Sequence, residues 1–211
     1  MLFKKSPEKF WDLISTFYAA SLINDEEAYQ RKIQKLRDYL SPEAVVLDIG
    51  CGTGTQCDDL ASSVKQVTGV DISGKLLAIA EKRKAERKLE NIEFIQTSLF
   101  DERFKSDSFD MIMAFYVLHF FEDIDAFFLR IRELLNSDGL LILETACLGE
   151  QNKFLGWIIR IAGHMGFLPL INLLTYKRIE NALEIAGFEL VEKTQFSKSN
   201  PEYTLIMKLS K

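Results

Sequence analysis

Four residues at alternate positions, Asp48, Gly50, Gly52 and Gly54, close the apolar run Val45-Val46-Leu47 and precede a stretch, Thr55 to Val64, able to form a helix. The spacing predicts a buried parallel strand, a tight turn, and a helix whose N-terminus faces a ligand. Glycines let the chain turn sharply and leave no Cβ between backbone and ligand. Free N–H groups and the positive end of the helix dipole then favour a carboxylate or phosphate. A second acidic residue, Asp71, closes the next apolar run, Gln66-Val67-Thr68-Gly69-Val70. A third candidate is His119, whose imidazole titrates in the range a general base needs.

The elements needed to position these groups alternate along the chain. Ser6 and Pro7 open a helix over Pro7–Ala20, with Phe10, Leu13, Ile14 and Phe17 on one face. A second helix runs from Asp25 to Leu40 and stops at Ser41-Pro42. After Asp71, Ser73 caps a helix to Lys88, and Ile92–Ile95 is a third strand. Ser108–Ala114 is a fourth strand. Ile124, Phe127, Phe128, Ile131, Leu134 and Leu135 form a helical stripe, Asp138-Gly139 turns, and Leu140–Thr145 is a fifth strand. Tyr176–Ala186 is a helix stopped by Gly187, and Phe188–Phe196 with Tyr203–Leu209 suit an antiparallel pair. The succession implies one α/β domain: a doubly wound, seven-stranded, mostly parallel Rossmann-like sheet with a C-terminal antiparallel hairpin. It divides into a helical cap (1–42), a core (43–150), an apolar insertion (151–175) and the final helix with its strand pair (176–211).

The pattern D-x-G-x-G-x-G at the end of a first strand, with a second acidic residue ending the next, resembles class I S-adenosylmethionine (SAM)-dependent methyltransferases, in particular those acting on small molecules. The resemblance covers Val45 to Leu209 and implies SAM as cofactor. It implies cofactor contacts from Asp48, Gly50, Cys51, Gly52 and Gly54, from Asp71 and Ile72, from Ser98 and Leu99, and from Phe115. Asp71 would accept from both ribose hydroxyls. Gln96–Phe100 stand where the family holds adenine; many relatives have an Asp there, and this chain has the uncharged Ser98. His119 resembles the family's L-H-[H/F] segment and is the candidate base, its other reading being a packing residue at a helix start. Tyr18, Tyr116, Trp157 and His164 are candidates for the acceptor wall, with His164 also readable as a packing histidine.

Several chemistries are disfavoured. Ala114-Phe115-Tyr116-Val117 lacks the [N/D/S]-P-P-[Y/F/W] motif of enzymes that methylate nucleobase amino groups. Ala114 offers no carboxylate for Mg²⁺ and Glu144 alone is no metal site, so no metal is expected. Gly54-Thr55-Gln56 fails the spacing of a dinucleotide loop, which argues against an NAD(P)-dependent oxidoreductase. A SAM-binding protein without methyl transfer, whether another alkyl transferase or a silent regulatory binder, remains a rival. The net charge is −5, and the densest basic run, Lys82–Lys88, is broken by Glu86 and flanked by Glu81 and Glu90. Nucleic acid is therefore not expected as a partner, and a small-molecule acceptor is. Cys51, Cys57 and Cys147 show no disulfide or zinc spacing and read as reduced packing residues. Met1–Pro7 lacks the apolar core of a secretory signal, so the cytoplasm is the default location.

Phe154–Leu174 is apolar and long enough to raise the question of a membrane span. Arg160 near its middle is costly in hydrocarbon, and Gly163, Gly166 and Pro169 break it into short pieces. The expectation is a lid with Trp157, Ile158, Ile161 and Phe167 facing inward, no stable insertion, and peripheral lipid contact as the rival. The oligomeric state is open.

Overall fold

A computed structural model of the chain describes residues 7–20, 25–150, 157–158, 161–163, 165, 168–197 and 203–210. The elements, in chain order, are α1 (Pro7–Ala20), α2 (Glu26–Arg37), β1 (Val45–Ile49), α3 (Thr55–Ala61), β2 (Gln66–Asp71), α4 (Gly74–Arg87), β3 (Ile92–Gln96), β4 (Phe109–Phe115), α5 (Ile124–Leu134), β5 (Leu135–Glu144), α6 (Tyr176–Ile185), β6 (Phe188–Thr194) and β7 (Thr204–Leu209). The strands form one seven-stranded sheet in the order β3-β2-β1-β4-β5-β7-β6. The pairs from β3 through β5 are parallel, and β7 inserts antiparallel between β5 and β6.

Alternation along the parallel strands divides the core in two. Leu47, Ile49, Ile112, Ala114, Leu141 and Leu143 face α5 and α6, where Phe127, Phe128 and Ile131 are fully buried. Val46, Met111, Met113 and Ile142 face the opposite layer and meet Ile33 and Leu36 of α2, Leu60 of α3 and Leu77 of α4. Strands buried on both faces need helices on both sides, and the near-continuous apolar runs of β1 and β4 reflect that demand. After β1 the chain builds β2 and β3 on one side, then returns to β4 on the other. The carboxyl ends of β1 and β4 therefore diverge, leaving a crevice where open α/β sheets take ligands.

Two expectations are corrected. Strand β5 begins at Leu135, directly after α5, and the residues up to Gly139 are absorbed by a register shift between Phe109 and Met111 on β4. Helix α1 does not bury its periodic face: Leu13 and Phe17 are 68% and 78% exposed. Its other side turns in. Asp12 accepts from the Ser73 hydroxyl at 2.6 Å and the Lys75 amide at 3.1 Å, and the Trp11 ring meets Phe120 edge-on at 5.3 Å. Anchoring by a carboxylate and an aromatic edge outweighs the intrinsic stripe. Ser73 does cap α4, accepting from the Leu76 amide.

Candidate functional site

A cleft of about 880 Å³, part of it open to solvent, lies at the carboxyl ends of β1, β2 and β4 under α1. Ile49, Gly50 and Gly52 line it from the β1 loop, Val70, Asp71, Ile72 and Leu76 from the β2–α4 junction, and Thr97, Ser98 and Leu99 from the end of β3. Phe115, Tyr116, Val117, Phe120 and Phe121 line it after β4, and Pro7, Trp11 and Tyr18 close it from α1.

The glycine loop has the left-handed backbone its residues allow, with φ of +70° at Gly50, +56° at Gly52 and +72° at Gly54. Only two of these glycines border the cleft. A Cβ on Gly52 would meet only Tyr18 Cε1, at an ordinary contact distance of 3.5 Å, and Gly52 borders the cleft, so a longer side chain there would compete with a ligand. A Cβ on Gly54 would stand 2.5 Å from Phe94 Cζ; this glycine serves packing against β3. Asp48 and Cys51 are likewise buried away from the cleft. Asp48 Oδ2 accepts from the Cys57 thiol at 3.3 Å. Burial pushes its carboxyl up to about 7, opposed by the Cys57 bond and by Lys32 and reinforced by the charge of Asp71. Its place is under the loop as a support.

Asp71 ties the two halves of the site together. Its Oδ2 accepts from the Gly52 amide at 3.0 Å and its Oδ1 from the Ser73 amide at 2.8 Å. Burial raises its pKa, while the amides of Ser73, Gly52 and Ile72 act in the opposite direction. A carboxylate has about four acceptor positions, so capacity remains for hydroxyl donors from the cleft. At Ser98 the hydroxyl oxygen already accepts from the Phe100 amide at 3.3 Å.

His119, the candidate base, sits on a 3₁₀ turn at Leu118–Phe120, buried and off the cleft wall. Its Nδ1 has no hydrogen-bond partner among the described residues, and burial pushes its pKa down to about 4. The ring is thus neutral across the physiological range and a weak base. The unfolded chain takes up a proton at this ring near 6.5, the folded one only near 4. The stability that depends on the neutral ring is therefore complete above about 6.5 and lost as pH falls towards 4, on the order of 3 kcal/mol in all. Asp48 acts with the opposite sign, and its contribution cancels when a His119 variant is compared with wild type. His119→Met should lose less stability than wild type between pH 7 and 4.5, as read from urea unfolding. Parallel pH profiles would show that the ring is not held neutral.

The insertion also departs from expectation. Trp157, Ile158 and Ile161 are exposed, at 58%, 43% and 37%, and none lines the cleft. His164 and Phe167 lie outside the described residues. The physical reason is that the mouth is already roofed by Trp11 and Tyr18 of α1 together with the Phe120-Phe121 turn. The later arm of the insertion is pinned beside that turn: the Asn172 amide donates to the His119 carbonyl at 2.8 Å and its side chain to the Phe121 carbonyl at 3.3 Å. Among the described residues no helix is long and apolar enough to cross a membrane, and no cluster of three or more His, Cys, Asp or Glu side chains could hold a metal.

Sequence reasoning did not name Trp11 or Phe121 among the lining residues. The aromatic pair after His119 was a usable signal, because it follows the strand whose end borders the crevice. It also missed the partners of Glu144, which come from three separate elements.

Comparison with known proteins decides the family. The model of the methyltransferase domain matches residues 40–190. The chain belongs to the class I SAM-dependent methyltransferases. A Geobacillus sp. (strain WCH70) protein carrying a methyltransferase name is 41% identical over 126 residues, 56% of this chain and 49% of its own. A ubiquinone biosynthesis O-methyltransferase of Bradyrhizobium sp. is 30% identical over 151 residues, 68% of this chain and 59% of its own. The methyltransferase thus spans about half the length of these curated relatives. Geranyl diphosphate C-methyltransferase of Streptomyces coelicolor, solved with S-adenosyl-L-homocysteine, shares the fold at a TM-score of 0.67 and 16% identity, covering 84% of this chain and 77% of the other. SAM is the cofactor this family membership brings, and the open Gly52 face and the Asp71 carboxylate fit it.

Proposed function

We propose that this methyltransferase alkylates a small, largely apolar acceptor at O, N or C. The observation that carries the reading is the lining of the cleft. Asp71 and the bare Gly52 backbone line it together with the aromatic side chains Trp11, Tyr18, Phe115, Tyr116, Phe120 and Phe121. SAM, when bound, supplies an activated methyl on a sulfonium. In this reading Asp71 holds the ribose hydroxyls, Gly52 gives the methionine moiety room, and Ile72, Ser98 and Leu99 border the adenine. The aromatic lining excludes water and aligns the acceptor, and alignment alone can lower a barrier by about 7–11 kcal/mol. A dedicated base is then not required, which agrees with the burial of His119 away from the cleft. The relative named as an O-methyltransferase and the neighbour named as a C-methyltransferase support no single acceptor atom.

The experiment is a screen of quinols, phenols, fatty acids and amines with SAM, reading S-adenosyl-L-homocysteine formed. Turnover with an apolar acceptor, lost in Asp71→Ala, is the expected result. Turnover confined to highly charged acceptors would overturn the role given to the aromatic lining.

A further inference from the structure

One buried charge pair lies outside the lining of the cleft. Glu144, at the carboxyl end of β5, is 7% exposed, and Lys32, on α2, is 9% exposed. Lys32 Nζ donates to Glu144 Oε2 at 2.9 Å, and the Thr204 hydroxyl donates to the same oxygen at 3.2 Å. The other oxygen, Oε1, accepts from the Tyr116 hydroxyl. Lys32 Nζ also lies 4.6 Å from the centre of the Phe115 ring, and Phe115 is the register partner of Glu144 on β4. Taking two charges out of water largely cancels their attraction, and an apolar replacement of such a pair is often no less stable. Stability alone is thus a poor reason for the pair.

What the pair holds is one wall of the cleft, the stretch Phe115, Tyr116 and Val117. Tyr116 has a φ of +55°, in the left-handed region, where a bulky residue is rare and persists only when its surroundings fix it. Glu144 fixes it twice. Its carbonyl accepts from the Tyr116 amide at 2.7 Å, and its carboxylate accepts from the Tyr116 hydroxyl. The kink at Tyr116 sets where Val117 lies, and Val117 packs on the glycine loop. A Cβ added to Gly50 would stand 2.7 Å from Val117 Cγ2. A chain of contacts therefore runs from Lys32 on α2, through Glu144 and Tyr116, to the backbone of the cofactor loop.

We infer that Lys32 and Glu144 are positioning residues for the cofactor, acting through Tyr116 to hold the Phe115–Val117 wall against the glycine loop before SAM binds. This rests on the methyl-transfer reading above and deepens it, adding two residues from outside the cleft to the binding machinery. A wall already in its bound shape need not be ordered when the cofactor arrives, so loosening it lowers affinity without removing a contact. Lys32 compensates the carboxylate that restrains Tyr116, because a carboxylate left unpaired in so buried a place is costly.

Calorimetry with S-adenosyl-L-homocysteine on the full chain, run well below the melting temperature of each variant, tests this. Two variants release the wall in different ways. Tyr116→Phe loses the hydroxyl and keeps the charge pair, whereas Lys32→Met combined with Glu144→Leu removes both charges and keeps Tyr116. Each should bind S-adenosyl-L-homocysteine about three- to tenfold more weakly than wild type, the scale of one hydrogen bond. The double variant should do so while melting near the wild-type temperature, because it leaves no charge unpaired. All three substitutions together should lose no more affinity than the weaker-binding of the two variants, since both break the same link. A pair with only a structural role would shift melting and leave the affinity of the folded protein unchanged. Wild-type affinity in folded Tyr116→Phe, wild-type affinity in the folded double variant, or losses that add would each overturn the inference. Failure of wild type to bind S-adenosyl-L-homocysteine would remove the methyl-transfer reading itself, and this inference with it.

Discussion

Gly52→Val should abolish SAM binding, lowering affinity by at least about 100-fold while the protein stays folded. Two effects act together. The φ of +56° places residue 52 in the left-handed region, where a β-branched side chain costs about 1–3 kcal/mol. The Cβ would project into the cleft, 3.5 Å from Tyr18 Cε1, and the two γ-methyls would occupy the volume assigned to the methionine moiety. The strain weighs on the folded protein with and without ligand, so the overlap carries the loss of affinity, and at about 1.4 kcal/mol per factor of ten a 100-fold loss needs about 3 kcal/mol of it. Gly52→Ala adds one carbon 3.5 Å from Tyr18 Cε1 and should fall between wild type and Gly52→Val. Calorimetry with SAM, accompanied by thermal melting to confirm folding, measures the effect. Unchanged affinity in a folded Gly52→Val protein would mean that the loop does not touch the ligand.

The second large effect is expected at Asp71. Loss of charge-assisted hydrogen bonds to the ribose should weaken SAM binding by about 1.5–3 kcal/mol, or roughly 10- to 150-fold. The structure adds a reason to expect the upper end. The same carboxylate holds the Gly52 amide at 3.0 Å and the Ser73 amide at 2.8 Å, so Asp71→Ala releases the loop as well as the ligand. Asp71→Asn keeps an oxygen acceptor and should lose less. If Ala and Asn variants weaken binding equally, the loop restraint contributes nothing. If a folded Asp71→Ala protein binds SAM as wild type does, the ribose assignment is wrong.

The parts of this protein written in its sequence are those that local rules govern. Alternation and apolar runs announced the strands, the stripe through Ile124, Phe127, Phe128 and Ile131 announced α5, and Ser73 announced its cap on α4. The motif Asp48-x-Gly50-x-Gly52-x-Gly54 with Asp71 was legible as a turn opening a helix, because these are set by residues a few positions apart, and it carried the family resemblance that implied the cofactor. What the tertiary structure alone decided is which of those residues reach the cleft. Gly52 faces it, whereas Gly54 faces Phe94 and Asp48 faces Cys57, a distinction that depends on what β3 and α3 bring alongside. The inward face of α1 was misread from its periodicity, since it depends on Ser73 and Phe120, both distant in the chain. His119 has the right type for a base, yet its proton affinity is a property of the packing around it. The meeting of Lys32, Tyr116, Glu144 and Thr204 joins residues from four elements, and no pattern of neighbours along the chain encodes it. Short-range geometry repeats and leaves a signature in sequence; desolvation and long-range hydrogen bonds arise only when the sheet closes and its helices pack.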